Sequence, residues 1–138
     1  MTAVRLTMLM AALAAASCGD SAETPTSPTT TAPTTILFSG TLQPRGTRFY
    51  SYSMSSGGSV SAMLASLERN NTPMPNTIEL GLGTPAGTGC AVVTSSQTSA
   101  SLVPQLQQDA SIGTYCVRIS DTEGLPVAMN FTIRVIHP

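Results

Sequence analysis

The sequence predicts an all-β fold, a small jelly-roll-like β-sandwich of about eight strands. Three observations lead to this prediction. Apolar and polar residues alternate with a period of two through most of residues 36–138, as in strands that bury one face. Gly- and Pro-containing turn sequences separate these runs. No stretch after Ile36 sustains the 3.6-residue period of a helix.

Length and charge limit the classes of function. The chain has 138 residues, which is enough for one domain of ordinary size. Only 9% of the residues are charged, and the formal net charge is -1. Such a chain lacks the basic surface that nucleic acid attracts. With one His, three Cys and no Trp, it also offers little material for a metal site, so we predict no nucleic-acid partner and no cofactor.

Residues 1–17 have the character of a signal peptide. Arg5 is the only charge, and the apolar run from Leu6 to Ala16 is broken only by Thr7. This run is shorter than the roughly 20 apolar residues that a spanning helix needs. Small residues then precede Cys18. The segment resembles a bacterial lipoprotein signal, in which the cysteine is acylated and becomes the mature N-terminus.

The resemblance implies a lipid anchor on Cys18, although Ala15 stands where the lipoprotein pattern prefers Leu. The alternative is an ordinary cleaved signal with a nearby cysteine. Residues 18–35 follow as a linker, and twelve of the fifteen residues from Ser21 to Thr35 are Ser, Thr or Pro. That composition cannot bury a core and predicts a flexible stalk. No sequence motif in the stalk indicates glycosylation.

The third segment, residues 36–138, contains the alternating runs and all six aromatic residues. Six runs are clear and two are weaker, which gives about eight strands. Between Ser61 and Arg69 a short helix competes with a strand, and Val60 and the serines favour the strand. The clear runs begin near Ile36, Tyr50, Val60, Ile78, Tyr115 and Val127, and the weaker ones cover Cys90–Val93 and Leu102–Leu106.

The order of these runs resembles the bacterial pre-peptidase C-terminal (PPC) domain. Four matches carry the resemblance, and they occur in the order of that family: Gly40-Thr41-Leu42, Tyr50-Ser51-Tyr52-Ser53-Met54, Leu80-Gly81-Leu82, and Gly113-Thr114-Tyr115-Cys116-Val117-Arg118-Ile119. Nearly all of residues 36–138 is covered. The resemblance implies a small jelly-roll-like sandwich that usually accompanies secreted enzymes. Here no catalytic domain precedes it in the sequence.

Cys90 and Cys116 remain once Cys18 is assigned to the anchor. In proteins exported from the reducing cytosol, an even number of remaining cysteines commonly forms disulfides, so we predict a structural disulfide between these two. A redox-active pair is the alternative, but it normally uses a C-x-x-C spacing at the start of a helix.

Other motifs are better explained by structure than by chemistry. The run from Gly81 to Ala86 matches a dinucleotide-binding pattern, but no helix opens after it, so a turn between strands is expected. His137 is the only histidine and lies next to Pro138. We expect it at the surface rather than in a hydrolase triad, and no G-x-S-x-G motif is present.

The acidic residues are too scattered for a calcium site, which takes six to eight oxygen ligands. Within residues 36–138 they are Glu68, Glu79, Asp109, Asp121 and Glu123. We expect the turn from Asp121 to Gly124 to be solvated. Tyr50 and Tyr52 could form a platform for sugar stacking. Because they alternate with Ser51 and Ser53, however, we expect the two tyrosines to face the core. Arg45 and Arg48 are expected at a solvated hairpin tip.

These observations predict a non-enzymatic, lipid-anchored protein of the bacterial cell envelope. It would contact the membrane through the lipid on Cys18 and bind or support another envelope component, either a protein or a polysaccharide. One alternative is a carbohydrate- or cell-wall-binding module, against which the absence of Trp weighs. A small secreted hydrolase that uses His137 is a third possibility. The ligand-binding residues, the membrane leaflet and the oligomeric state are not encoded in any recognisable motif.

Overall fold

A computed structural model describes residues 32–138. The predicted signal peptide (1–17), the lipidation site Cys18 and most of the linker (18–35) lie outside these residues. The first strand begins at Thr34, two residues before the predicted start of the domain.

The described chain forms nine strands in two antiparallel sheets. One of them, β4, has only two residues. The strands are β1 (Thr34–Leu42), β2 (Thr47–Met54), β3 (Gly58–Arg69), β4 (Thr72–Pro73), β5 (Ile78–Ala86), β6 (Gly89–Thr98), β7 (Leu106–Ala110), β8 (Gly113–Ser120) and β9 (Met129–His137).

Strand pairing confirms the predicted jelly-roll architecture. The five-stranded sheet has the order β1-β9-β3, with β4 and β7 both pairing with β3, and the four-stranded sheet has the order β2-β8-β5-β6. The pairs β1·β9, β2·β8, β3·β7 and β5·β6 are nested in the sequence. The chain is therefore one long antiparallel ribbon, folded at the β5–β6 turn and rolled into a sandwich.

The period-two alternation explains which side chains fill the sandwich. In the central strands the inward residues are almost completely buried, whereas most of their neighbours along each strand are partly or fully exposed. The strand prediction for Ser61–Arg69 is confirmed by β3. The largest buried core side chains include Leu42, Leu64, Leu67, Ile78, Leu80, Leu82, Ile119, Met129, Phe131 and Ile133.

Two sequence predictions of local structure need correction. Residues 102–105 form part of a loop rather than a strand, since β7 begins only at Leu106. The Gly-rich segment from Gly81 to Ala86 lies inside β5 instead of forming a turn, and the chain reverses at residues 87–88. A bulge in the β5–β6 pairing follows Leu82, and a Cβ atom at Gly83 would overlap the carbonyl oxygen of Ala91. Gly83 therefore permits a close approach of two backbones.

The segment 43–46 also differs from the expected hairpin, because β1 and β2 belong to different sheets. The two strands are nevertheless linked by side chains. Tyr50 Oη donates a hydrogen bond to the carbonyl oxygen of Ser39 (3.1 Å), and Arg48 Nε donates to that of Thr41 (3.4 Å). These side chains occupy backbone acceptors on β1, which is an edge strand, and so protect part of that edge from pairing with another chain.

The registers place the connections at two opposite ends of the sandwich. One end, which we call the entry end, holds Thr34 at the start of β1 and the short turns 55–57, 87–88 and 111–112. The other, the loop end, holds the longer connections 43–46, 70–77, 99–105 and 121–128. The chain preceding residue 32 therefore joins the domain at the end opposite the longer loops. No helix within residues 32–138 has the length and apolar character needed to cross a membrane.

Candidate functional site

Cys90 and Cys116 form the predicted disulfide, with Cα atoms 5.9 Å apart. The bond lies on the outer side of the four-stranded sheet, because Cys116 lies opposite exposed Ser51 of β2 and next to Val117, which faces the core. It joins β6, an edge strand, to β8 across the intervening β5. The disulfide is thus structural in position, holding the edge of this sheet in place.

Asp121 connects two segments of the loop end. Its carboxylate accepts hydrogen bonds from the backbone N–H groups of Arg45 (2.6 Å), Gly124 (2.8 Å) and Leu125 (2.6 Å). The Asp121 side chain is buried, which corrects the expectation of a solvated turn for this residue, whereas residues 122–124 are exposed as predicted. Burial alone raises the pKa of the Asp121 carboxyl, but the N–H donors, with one from Glu123, outweigh it and leave the pKa below its ordinary value.

Gln105 fixes a second part of the loop end, the segment 99–105. Its Oε1 accepts a hydrogen bond from the backbone N–H of Leu64 (2.7 Å), and its Nε2 donates to the carbonyl oxygen of Ser99 (2.8 Å). Backbone bonds from Ser101 N–H to Leu64 O (2.8 Å) and from Gln105 N–H to Ala62 O (3.0 Å) hold the same segment against β3. The loop is therefore ordered by a side chain that reaches across it.

We expect Gln105→Ala to loosen this loop while leaving the sandwich folded. The substitution leaves the N–H of fully buried Leu64 without its acceptor, which costs about 1–3 kcal/mol. Limited proteolysis is expected to cut the variant within residues 99–105 several-fold faster than the parent protein. Gln107→Ala, at an exposed position of β7, is the matched control and is expected to be cut at the parent rate. Equal cleavage of all three proteins would contradict this role of Gln105.

The ordered loop presents two adjacent aliphatic side chains to solvent. Leu102 and Val103 are each 69% exposed, and the Val103 N–H is held by Ser101 Oγ (3.1 Å). Exposed aliphatic residues are common on protein surfaces singly. A neighbouring pair on a loop that the scaffold holds rigid has the character of a protein-contact site, because little conformational entropy remains to be lost on binding.

A shallow groove of about 380 Å³ lies elsewhere, on the outer face of the five-stranded sheet. It crosses β1, β9 and β3 in their half nearer the loop end. Gly40 and Phe131, whose side chain is buried on the inner side of the sheet, form part of its lining. The other lining residues all have polar side chains and are Ser39, Thr41, Ser66, Glu68, Asn130 and Thr132.

The expectation of a surface position for His137 is wrong. The side chain is only 5% exposed, because β9 continues to residue 137 and places it on the inner face beside Tyr52, with ring centroids 5.6 Å apart. Burial raises the pKa of the Tyr52 hydroxyl to about 12, and Tyr115 adds to the shift. Within the described residues neither Tyr52 Oη nor His137 Nε2 has a hydrogen-bond partner. Tyr52 thus belongs to the core, as predicted, and Tyr50 is partly buried and packs against that core.

The acidic residues do not assemble a site. Among residues 32–138 no three His, Cys, Asp or Glu side chains lie close enough together to hold a metal ion. Glu79 instead pairs with Arg118 on the outer face of the four-stranded sheet. Arg45 and Arg48 are exposed, as expected.

Comparisons with known proteins identify no relative by sequence. No family model and no curated protein matches the chain, so the PPC resemblance and the lipoprotein signal stay predictions. Among solved structures, the chain is similar to PliG of Aeromonas hydrophila, a periplasmic lysozyme inhibitor of g-type lysozyme. The TM-score is 0.46 at 10% sequence identity, and the alignment covers 75% of this chain and 86% of that chain.

Proposed function

We propose that this chain is a non-enzymatic, lipid-anchored protein of the bacterial cell envelope that binds another envelope protein through its loop end. Its sandwich would be a PPC-like binding module, carried on the linker and anchored through the lipid on Cys18. The observation that carries the binding role is the pair of exposed aliphatic side chains, Leu102 and Val103, on the loop that Gln105 holds rigid.

The disulfide supports an extracytoplasmic location. Cys90 and Cys116 are bonded, and disulfides form and persist in the periplasm and outside the cell but rarely in the cytosol. The signal-like segment that ends at Cys18 also supports export from the cytosol. The proposed location therefore rests on the disulfide and on the signal-like segment, whereas the proposed anchor rests on that segment alone.

The orientation of the domain supports a role for the loop end. The chain enters at Thr34, at the end opposite residues 99–105. A tether attached at the entry end would leave the longer loops pointing away from the membrane. An envelope partner would then meet Leu102 and Val103 first, and an apolar depression on its surface would accommodate the two side chains.

Site-specific crosslinking in living cells tests the partner surface. A photo-crosslinking residue at Val103 is expected to capture one defined partner, whereas the same residue at exposed Thr88, in the entry-end turn 87–88, is expected to capture none. Leu102→Ser in the same chain is expected to reduce the Val103 product at least several-fold, because the aliphatic pair binds as a unit. A product that forms equally from both positions, or from neither, would refute the proposed surface.

The intact mass of protein purified from its own host's membranes tests the anchor. A mass that fits acylated Cys18 as the first residue, two hydrogens light, is expected. Unlipidated protein in the medium would instead make the chain a freely secreted module.

A further inference from the structure

We propose that the groove on the outer face of the five-stranded sheet is a binding site for a neutral saccharide. This site is separate from the protein-contact surface at Leu102 and Val103 and does not depend on it. The proposal rests on the chemistry of the six side chains that line the groove and on the way the sheet register aligns them.

The register sets the six side chains in two parallel rows across three strands. In one row Ser39 lies opposite Thr132, which lies opposite Ser66. Two residues nearer the loop end, Thr41 lies opposite Asn130, which lies opposite Glu68. Neighbouring strands are about 4.8 Å apart and alternate residues about 6.8 Å apart, so the two rows span an area comparable to that of a sugar ring.

Hydrogen bonds within the rows hold four of the six side chains in place before any ligand arrives. The hydroxyl groups of Ser39 and Thr132 are 3.1 Å apart, and Thr41 Oγ1 donates to Asn130 Oδ1 at 2.9 Å. With its oxygen engaged, the Asn130 amide keeps its N–H donors for a ligand. A lining that is already ordered loses little side-chain entropy on binding.

The donor and acceptor set favours a polyhydroxylated, uncharged ligand. The Asn130 amide can donate to a ligand, the Thr41 hydroxyl can accept from it, and the hydroxyl groups of Ser39, Ser66 and Thr132 add further donors and acceptors. The Glu68 carboxylate accepts from sugar hydroxyl groups through charge-assisted bonds. Within residues 32–138, Glu68 forms no ion pair, so its negative charge disfavours an anionic ligand. Phe131 is the one large apolar residue at the groove, and its side chain is buried on the inner side of the sheet, so an apolar peptide side chain would find little apolar surface to contact. Without an aromatic platform in the groove, we expect millimolar rather than micromolar affinity.

Chemical-shift mapping of the full mature chain in detergent tests the site. The probes are soluble oligosaccharides of glucose and of N-acetylglucosamine as neutral ligands, with oligogalacturonate as the anionic comparison. Saturable shifts are expected at the amides of residues 39–41, 66–68 and 130–132 with at least one neutral ligand. Binding of oligogalacturonate is expected to be at least fivefold weaker.

Three variants separate recognition from folding. Asn130→Ala is expected to weaken binding of the neutral ligand at least fivefold, because it removes the amide donors. Glu68→Gln is expected to narrow the preference for neutral over anionic ligands, because it removes the charge and keeps the shape. Thr35→Ala, at an exposed position of β1 outside the groove, is the matched control and is expected to bind the neutral ligand like the parent chain.

Two outcomes would overturn the proposal. One is the absence of saturable shifts with every neutral probe up to its solubility limit, in a chain whose spectrum shows it folded. The other is a set of shifts that map to another surface or survive Asn130→Ala unchanged. Neither outcome bears on the crosslink at Val103, so the two binding proposals fail independently.

Discussion

Removing the Cys90–Cys116 disulfide is expected to lower the melting temperature by more than about 10 °C. The bond closes a loop with a sequence separation of 26 residues. In the chain-entropy account, such a loop contributes about 3.5 kcal/mol to stability. A domain of about 100 residues shifts its melting temperature by about 4–8 °C per kcal/mol. Thermal unfolding of the parent chain with and without reductant, and of the Cys90→Ala/Cys116→Ala variant, measures the effect.

The two perturbations check each other because they differ chemically. Reduction keeps both sulfur atoms, whereas the double variant leaves a small cavity at Cys116, which is fully buried. Both are expected to lower the melting temperature, and reductant is expected to leave the double variant unchanged. An unaltered melting temperature of the reduced parent chain would show that the bond does not stabilise the domain.

Substitution of Asp121 is expected to destabilise the domain by about 3 kcal/mol or more. Asp121→Ala removes the acceptor of the buried or partly buried N–H groups of Arg45, Gly124 and Leu125. A hydrogen bond to a charged group contributes about 1.5–3 kcal/mol. Asp121→Asn is expected to lower the free energy of unfolding by less than Asp121→Ala, because the side chain keeps one oxygen acceptor. Its NH2 group, however, then faces a backbone N–H donor. Chemical denaturation at neutral pH, with exposed Asp109→Asn as the control, measures these differences.

The same carboxylate is expected to make stability depend on pH in the acid range. The pKa of the Asp121 carboxyl in the folded domain lies below its ordinary value, so the folded state binds the proton less tightly than the unfolded chain. Its contribution to stability is therefore complete above about pH 4–5 and is lost as the pH falls through the lower folded value. The difference in unfolding free energy between the parent and Asp121→Asn is expected to shrink as the pH falls from 5 towards 2. A constant difference over that range would contradict a low pKa for Asp121.

The sequence predicted the sandwich because each strand buries one face. A strand that buries one face has apolar residues at every second position, as at Phe131, Ile133 and Val135. The same alternation, continued by two residues, also indicates His137 as an inward position. We expected a surface histidine because of its place beside Pro138, and the strand pattern was the better guide.

The parts of the candidate sites that depend on long-range contacts could not be predicted. The Asp121 turn has a local signal, since an aspartate commonly accepts hydrogen bonds from the backbone that follows it. Its bond to Arg45 joins residues 76 positions apart, and no local pattern encodes that contact. Gln105 has no signal at all, because its role arises only where the loop meets the edge of β3. The groove is likewise set by strand register rather than by any motif.

The nesting of the strand pairs determines when the domain can be completed. Thr34 of β1 pairs with His137 of β9, so the first and last strands are neighbours in the finished sheet. A chain that leaves the cytosol N-terminus first cannot form this pair until its final residues have crossed the membrane. Such distant pairings also fold slowly. Under the proposed export, the incomplete chain would cross the membrane with β1 and its exposed Leu37 still unpaired. A chaperone outside the cytosol would be most useful in that interval.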